Sequence, residues 1–326
     1  MQIVRNSRTE RVAEAVLAQH NILTVDVEEW FHILEVEGGY TRNDWTSLES
    51  RVEANTDALL DLFATTGTTG TFFVVGWVAW KHPELVRRIA AAGHEIASHS
   101  FWHEVVTRHS RASLAADLTA SKKVLEDLSG RPVLGFRAPG GSITHDTAWA
   151  FDVIAEAGFS YDASVNPGHS SHGGFATPYF GPHKIRCRSG DLAEIPWTTV
   201  GVAGRRLPFA GGGYLRLFPY GLIRRCVAAE NREGRPATVY VHPREIDPDQ
   251  PRMELPWRRR FKYYVGLQST APKLRSLLHE HRFTSVRAWL DANEASLAGQ
   301  VFDVRNFAAH ETAAVASAPL PPPALS

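Results

Sequence analysis

Short β-rich runs alternate with amphipathic stretches from residue 21 onward, and this alternation limits the possible folds more than any other feature of the chain. The apolar run Asn21–Val27 predicts a buried strand, and residues 48–63 carry apolar side chains at helical spacing. Residues 71–75 and Glu95–Ser98 predict two more strands, which flank a helix over residues 84–92. This order predicts an α/β fold in which crossover helices join parallel strands, as an open sheet or a barrel. Functional side chains should then gather at the carboxyl ends of the strands.

The second half of the chain is less regular. Residues 166–190 are rich in Gly, Pro, His and Ser and predict a long loop, and residues 211–213 predict a tight turn. Strands are predicted over residues 194–200, 237–242 and, as the last strand, 282–286. From residue 300 to residue 326 the composition is dominated by Ala, Pro and Ser, which predicts a disordered tail.

Composition and charge narrow the possible partners. Lys+Arg and Asp+Glu both number 35, so no overall charge attracts nucleic acid or an anionic membrane. The basic run at residues 258–262 is either a solvated face or a groove for an acidic glycan. The first twenty residues lack the apolar stretch of a signal peptide, and no run is long enough to span a bilayer. We therefore expect a cytoplasmic protein without a transmembrane segment. Action at the cytoplasmic face of the membrane is an alternative.

The two cysteines, Cys187 and Cys226, are too few and too far apart for a disulfide framework or a metal knuckle. We expect both to be free thiols, with a disulfide between them as the alternative. The sequence predicts no particular oligomeric state.

His99 and His103 form the strongest local motif, His-Ser-Phe-Trp-His. Histidines four residues apart share a helical face, and a tight turn also brings them together, so both imidazoles can reach one metal ion. The chain has 15 histidines, however, so a pair of ordinary surface histidines remains an alternative.

A second motif is the acidic end of the first predicted strand, Asp26-Val27-Glu28-Glu29. Side chains alternate along a strand, so Asp26 and Glu28 share a face if the strand extends that far. Alternatively, the strand ends at Val25 and the acids are solvated. Together with the histidine pair, these carboxylates offer two imidazoles and one carboxylate for a metal, with a second carboxylate as base.

Three more polar segments follow predicted strands: Arg-Ala-Pro-Gly-Gly from Arg137, Tyr-Asp-Ala-Ser around Asp162, and His-Pro-Arg-Glu from His242. The order DVE, HSxxH, RxP, DxS and strand-His resembles the NodB-homology polysaccharide deacetylases, carbohydrate esterase family 4, over residues 20–290. The opening TVDVEEWFH and the segment GGGYLRLFPY resemble the exosortase-associated exopolysaccharide deacetylases most closely.

The resemblance implies a distorted (β/α) barrel of about seven parallel strands with a C-terminal extension. It divides the chain into an N-terminal extension over residues 1–20, a deacetylase domain over residues 21–290 whose extension begins near residue 200, and the tail.

The resemblance also implies a role for each motif residue. Asp26 matches the catalytic base, Arg137 the arginine that holds it, His242 the general acid and Asp162 the acidic partner of that acid. The N–H of Gly140 matches an oxyanion donor, and His99 and His103 match metal ligands. Val27 stands where the commoner family motif has a metal-binding aspartate, so the third ligand is Glu28 or Glu29. Glu28 is favoured because it shares the face of Asp26.

These residues predict a hydrolase with one divalent metal, zinc first, that removes N-acetyl groups from an N-acetylated polysaccharide, either an exopolysaccharide or its precursor. Three alternatives stay open. An allantoinase-like small-amide hydrolase would share the metal site, a non-haem iron oxygenase would use the same two histidines and carboxylate, and a carbohydrate-binding domain would have lost catalysis.

Overall fold

The computed structural model describes residues 20–34, 39–168, 174–202, 205–209 and 211–307. The predictions for residues 1–19 and for the tail beyond residue 307 lie outside these ranges. Twelve strands occur in the described residues: β1 Asn21–Val27, β2 Thr71–Val74, β3 Glu95–Ser98, β4 Gly135–Phe136, β5 Tyr161–Asp162, β6 His183–Cys187, β7 Gly190–Glu194, β8 Thr199–Val202, β9 Arg205–Pro208, β10 Thr238–Val241, β11 Phe283–Thr284 and β12 Val301–Asp303.

Ten α-helices accompany these strands in the same ranges: α1 Val52–Thr66, α2 Gly76–Lys81, α3 Pro83–Ala91, α4 Arg111–Ser129, α5 Ala150–Glu156, α6 Gly212–Leu217, α7 Tyr220–Arg232, α8 Trp257–Tyr264, α9 Leu267–Glu280 and α10 Val286–Asn293. Short 3-10 turns, including Pro139–Gly141 and Pro243–Ile246, follow two of the strands.

The main sheet is mostly parallel, which confirms the α/β class. Seven strands run parallel in the order β10-β1-β2-β3-β4-β5-β7. The sheet continues through β6, which is antiparallel to β7, to β12, and β11 pairs with the start of β1. Within the described residues no strand pair joins β10 to β12, so the hydrogen-bonded order has two ends. β8 and β9 form a separate hairpin.

Strand β1 lies inside the sheet, and all seven of its residues are buried. Its register sets Val25 beside Val241 of β10 and Asp26 beside Phe73 of β2. Because its neighbours are parallel, the carboxyl ends of β1, β3, β4 and β10 lie at one edge of the sheet. The polar motifs predicted at strand ends are therefore brought to the same edge.

Helix α1 begins at Val52, four residues later than the helical pattern predicts. The carboxylate of Glu29 accepts a hydrogen bond from the Arg51 N–H at 3.1 Å and another from the Ser50 hydroxyl. A buried carboxylate at a helix N-terminus satisfies the free N–H groups of the first turn. This start is set by a tertiary contact that the local sequence does not reveal.

Three predictions for the middle of the chain are wrong. The predicted loop over residues 166–190 contains β6, which forms a hairpin with β7. The predicted strand over residues 194–200 is interrupted between β7 and β8, where Pro196 has no N–H to donate to a sheet. The predicted turn at residues 211–213 instead begins α6.

The end of the chain also differs from the prediction. β11 is not the last strand, because Val301–Asp303 pairs in parallel with β6. The predicted disordered tail therefore begins too early, since residues 301–307 are ordered against the sheet. The prediction from composition included these residues in the Ala- and Pro-rich segment that follows them.

Candidate functional site

Glu28, His99 and His103 converge on one point at the carboxyl edge of the sheet. The Nε2 atoms of His99 and His103 lie 3.0 Å and 2.9 Å from the same oxygen, Oε1 of Glu28. All three side chains are buried, and their ligand atoms lie within 4.8 Å of one another. The two histidines are thus neighbours around one carboxylate rather than separate surface residues.

A tight loop, and not a helix, brings the two histidines together. Ser100 and His103 both have left-handed backbones, with φ of 61° and 52°, a conformation that costs about 1–3 kcal/mol for a residue other than glycine. The loop is held by the Ser100 hydroxyl, which accepts from the His103 N–H at 2.8 Å, and by Asp117, which accepts from the Phe101 and Trp102 N–H groups. Backbone strain kept by such contacts is typical of a functional site.

The donor set fits a divalent metal. The Nδ1 of His99 lies 2.7 Å from the carbonyl oxygen of Arg137, an acceptor, so Nδ1 donates to it and Nε2 is left to face Glu28 as a ligand atom. Two acceptor atoms 3.0 Å apart need a cation or a proton between them. Burial alone would raise the pKa of Glu28, but the charges of His103 and His242 outweigh it and hold this pKa well below its usual range. An ionised carboxylate with two imidazoles is a donor set that suits zinc.

Asp26 lies beside this cluster and is held by Arg137. The guanidinium donates to Oδ1 of Asp26 at 2.7 Å and to the Thr24 hydroxyl at 2.8 Å. Arg137 also donates to the Ala163 carbonyl, and its charge lies over the Phe73 ring, 4.2 Å from the ring centroid. Because Arg137 is buried and held at several points, it fixes the orientation of the Asp26 carboxylate.

His242 completes the cluster from β10. Its Nε2 lies 3.9 Å from Asp26 and 3.6 Å from Glu28, and its Nδ1 lies 3.3 Å from Oε2 of Glu245. Burial lowers the pKa of His242, but the charges of Glu28 and Glu245 outweigh it, so this pKa is raised. Burial raises the pKa of Glu245, yet His242 and Arg216 bring it to about 2. The imidazole is therefore placed to hold a proton beside the metal-ligand cluster.

Asp162 contacts Ser164, whereas the resemblance implies that it is the acidic partner of His242. Its carboxylate accepts from the Ser164 hydroxyl at 2.7 Å and the Ser164 N–H at 3.0 Å. Burial raises its pKa, and burial together with the charge of Asp162 raises the pKa of Glu194 well above its usual range. The pKa values of both carboxylates are therefore raised within one buried pair, whereas the carboxylate in contact with His242 is Glu245.

Glu29, the alternative third ligand, is turned away from the histidines. It binds Ser50 and Arg51 at the start of α1, and burial raises its pKa. The geometry thus groups Glu28, and not Glu29, with the two histidines.

His32 packs against the cluster of Glu28, His99 and His103. Its ring stacks on His103 with 5.5 Å between the ring centroids, and its Nδ1 accepts from the Glu29 N–H. Burial lowers the pKa of His32 well below its usual range, so the ring is neutral. His32 is a site residue that the motif order did not identify, although it ends the TVDVEEWFH segment.

These residues open into a cavity of about 450 Å³, which Gly140 also lines. Gly140 has a left-handed φ of 66° within the turn Pro139–Gly141. The other wall comes from the C-terminal part of the chain and includes Tyr214, Leu217, Phe261 and Lys262.

Two glycines allow that wall to approach the site. A Cβ on Gly212 would lie 1.4 Å from Oε2 of Glu245, and a Cβ on Gly211 would lie 2.2 Å from the Tyr240 ring. Only glycine leaves room for α6 this close to Glu245. Gly211 and Gly212 of the GGG segment are thus required for packing at the site, which the prediction of a turn did not reveal.

Glu245 itself was missed as a site residue. Its only local signal is its place three residues after His242, where it accepts from the His242 N–H at 3.0 Å. That spacing is typical of a capping interaction at the start of a short helix. Its second contact, with Arg216 at 3.3 Å, joins residues far apart in sequence and has no local signal.

Four aromatic side chains of the kind that can stack on a sugar ring differ in their exposure. Trp30 and Phe31 are buried in the core, Trp102 is half-buried beneath Arg42, and Trp257 is 74% exposed. Cys187 and Cys226 are free thiols, as predicted. Among the described helices, none has the length and apolar character needed to cross a bilayer.

Two family models match consecutive parts of the chain. Residues 41–161 match the polysaccharide deacetylase model, and residues 163–291 match a domain of unknown function, DUF3473. A peptidoglycan-N-acetylglucosamine deacetylase of Bacillus cereus is 34% identical over 104 residues, which is 32% of this chain and 47% of that protein. A chitooligosaccharide deacetylase of Rhizobium leguminosarum bv. trifolii is 30% identical over 116 residues, 36% of this chain and 50% of that protein. The matched parts thus span about half the length of these relatives.

Solved structures share the fold. A candidate polysaccharide deacetylase from Mycobacterium smegmatis superposes with a TM-score of 0.60 and 20% identity, covering 86% of this chain and 92% of its own. The Puue allantoinase superposes with a TM-score of 0.58 and 16% identity, covering 84% and 90%. At this identity the likeness concerns the fold alone. The sequence matches go further: the chain carries a polysaccharide deacetylase domain of the NodB-homology family, carbohydrate esterase family 4, continued by the DUF3473 region.

Proposed function

We propose that this chain is a metal-dependent N-deacetylase of an N-acetylated polysaccharide, either an exopolysaccharide or its precursor. One observation carries the proposal. A single cavity is lined by the ligand set Glu28, His99 and His103, by Asp26, which the buried Arg137 holds, and by the pair His242–Glu245. A ligand set, a base and an acid are the parts that amide hydrolysis needs.

Glu28, His99 and His103 would hold the metal, and we take zinc as the first candidate because two imidazoles and a carboxylate are ligands typical of zinc sites. When bound, a divalent cation supplies a Lewis acid for the acetamide carbonyl and an acidified water. The Arg137 carbonyl, which accepts from His99, fixes the tautomer that this ligand needs.

The remaining steps belong to the chain's own side chains. Asp26, oriented by Arg137, accepts a proton from the attacking water. The backbone N–H of Gly140, which lines the cavity, is our candidate donor to the oxygen that becomes negative. His242, whose pKa is raised by the charges of Glu28 and Glu245, gives its proton to the departing sugar amine. Asp26 must start ionised and His242 protonated, so we expect a bell-shaped dependence of rate on pH.

The substrate class is supported by the relatives, which are named for deacetylation of peptidoglycan N-acetylglucosamine and of chitooligosaccharides. The exopolysaccharide rests on the likeness of TVDVEEWFH and GGGYLRLFPY to the exosortase-associated branch. Hydrolysis of a small amide remains the second candidate, since the allantoinase has a similar fold. The cavity favours a glycan, because its C-terminal wall extends it beyond the size of one small amide. An iron oxygenase is disfavoured by the deacetylase family match.

Two shape-preserving substitutions test the proposal because they separate the base from the ligand. Asp26→Asn should keep the metal and lose turnover, since Asn cannot accept the proton at neutral pH. Glu28→Gln should lose metal, since a neutral amide is a weak ligand. The measurements are acetate release from an N-acetylated oligosaccharide and metal content by elemental analysis. Glu254→Gln, an exposed carboxylate outside this cavity, is the matched control. Full acetate release by Asp26→Asn, or unchanged metal in Glu28→Gln, would contradict the assignment.

A further inference from the structure

The wall of the cavity beside His242 is cationic. Arg216, Arg244 and Lys262, which we call the cationic wall, all line the cavity together with Tyr263. Arg244 follows His242 by two residues in the turn Pro243–Ile246, whereas Lys262 comes from α8. The acidic side chains Asp26 and Glu28 line the same cavity.

The positive charge of this wall is only partly balanced. Arg216 is paired with Glu245 at 3.3 Å and donates to the carbonyls of Tyr263 and Val265. Glu245 also contacts His242, so this one carboxylate interacts with the charges of His242, Arg216 and Arg244. Among the described residues, no carboxylate lies within ion-pair distance of Arg244 or Lys262.

Arg244 is the clearest case. The residue is 7% exposed, and its Nε and Nη1 are buried without a hydrogen-bond partner among the described residues. Its guanidinium lies 5.4 Å from the centroid of the Tyr263 ring. A buried arginine with unused donors is costly unless a ligand supplies the acceptor. Burial and the like charges of Arg259, Arg216 and Arg244 lower the pKa of Lys262, as expected for a crowded group of cations.

We propose that the cationic wall binds an oxyanion of the glycan, a carboxylate or a phosphate, on the acetamido sugar or its neighbour. This inference rests on the proposed function and names its substrate class. Arg244 forms the charge-assisted contact, Lys262 adds charge at the cavity rim, and Arg216 positions the Tyr263–Val265 segment. A uronic acid and a sugar phosphate share this chemistry.

Three substrates distinguish these sources: N-acetylchitotetraose, which is neutral, a hyaluronan tetrasaccharide, which carries carboxylates, and N-acetylglucosamine 1-phosphate. The wild-type enzyme should show a kcat/KM about 10- to 100-fold higher for at least one anionic substrate, the value expected of one charge-assisted contact. Arg244→Gln should lose this preference mainly through KM, and its kcat/KM for the neutral substrate should change by less than about 3-fold. Lys262→Gln, on an exposed helix, should show a smaller loss in the same direction. Arg258→Gln removes a neighbouring exposed charge outside the cavity and is the matched control.

The outcomes separate this inference from the proposed function. Equal kcat/KM for all three substrates, unchanged in both variants, would overturn the anion site and leave the deacetylase standing. Absence of acetate release from every substrate would overturn the proposed function instead. In that case calorimetry with glucuronate and inorganic phosphate decides, at matched metal content. Binding that is lost in Arg244→Gln and kept in Arg258→Gln supports the site, and equal binding by all proteins overturns it.

Discussion

His242 lies beside three carboxylates, and two of them, Glu28 and Glu245, determine over which pH range it keeps a proton. Both raise its pKa against the effect of burial. A general acid works only while protonated, so the rate should fall as the pH rises through this raised pKa. The alkaline limb of the pH–rate profile therefore reports on the neighbours of His242.

Glu245→Gln should move that alkaline limb to lower pH, because the imidazolium loses a nearby counter-charge. Asp162→Asn should leave the limb in place, because Asp162 contacts Ser164 and not the imidazole. The measurement is acetate release against pH for the wild type and both variants. A shift in Asp162→Asn without one in Glu245→Gln would restore the role that the family resemblance gives to Asp162.

Most motif residues of the candidate site could be predicted from the sequence. The residues that contact and orient them could not. Asp26, Glu28, His99 and His242 could be found because the motifs carry reactive side chains at the ends of apolar strands. Glu245 and Arg216 were missed because their roles depend on one long-range pair, 3.3 Å across. The choice between Glu28 and Glu29 was open in the same way, since only the fold shows that Glu29 caps α1.

Among the secondary elements, α6 has the tightest contact with the site. Gly212 at its start leaves no room for a Cβ, whereas a Cβ on Gly213 would meet only the Arg216 side chain at 3.6 Å, an ordinary contact. The two glycines are adjacent in the same helix, so they make a matched pair for substitution.

Gly212→Ala should lower the free energy of unfolding by about 1–3 kcal/mol, the usual effect of overpacking. Because the added methyl must displace Glu245, this variant should also move the alkaline limb to lower pH. Gly213→Ala should be neutral or slightly stabilising, since alanine favours a helix. Denaturant unfolding and the pH–rate profile check both variants. Equal behaviour of the two would show that α6 does not press on Glu245.

The buried carboxylate pair Asp162–Glu194 links β5 to β7, and it should make stability depend on pH. The pKa of Glu194 is raised well above 4.5, so the folded protein holds a proton that the unfolded chain releases near pH 4.5. The contribution of this pair to stability is therefore fully present below that pH and is lost as the pH rises through the raised pKa.

Glu194→Gln should flatten this decline, because a neutral amide can donate to Asp162 and still accept from the Val165 N–H, as Glu194 does at 3.0 Å. Denaturant unfolding at several pH values from 4.5 upward measures the effect, with Glu254→Gln as the exposed control. A decline as steep in Glu194→Gln as in the wild type would place the titrating group elsewhere.

Helices and strands were predictable where the spacing of apolar residues agreed with capping residues and glycines at the ends of the element. β1 and β3 have the predicted bounds, and α4 is framed by the Ser110 cap and Gly130, whose φ is 65°. β6 and β12 were missed because both lie in segments whose composition resembles a loop or a tail. β6 pairs with β7 and with β12, and β12 lies more than 110 residues further along the chain. Local β-propensity does not reveal such pairing.

On the scale of the whole molecule, the site is assembled from both matched regions. His99, His103 and Arg137 lie in the polysaccharide deacetylase match, whereas His242 and Glu245 lie in the DUF3473 match. β1, which carries Asp26 and precedes both matches, pairs with β2 on one side and β10 on the other. Because the ligand set and the acid meet only across this pairing, neither region alone contains the complete cavity.

Metal binding should therefore stabilise the entire fold. Glu28 and His99 are 71 residues apart, so the unfolded chain offers no preformed site, and a metal at 1,000 times its Kd adds about 4 kcal/mol to the free energy of unfolding. Chelation should lower the midpoint of thermal unfolding by several degrees, since about 1 kcal/mol shifts a protein of this size by about 2 °C. Zinc should restore it.

Differential scanning calorimetry of the zinc-loaded and chelated wild type measures this shift, and the double variant His99→Ala/His103→Ala is the control. That variant should unfold at the same temperature with and without zinc, because it keeps Glu28 but loses both imidazoles that meet it. It should also unfold below the metal-loaded wild type, since the buried Glu28 carboxylate keeps neither its cation nor its imidazole partners. If zinc raised the midpoint of this variant as much as that of the wild type, the stabilising metal would have to bind outside the cluster at the ends of β1 and β3.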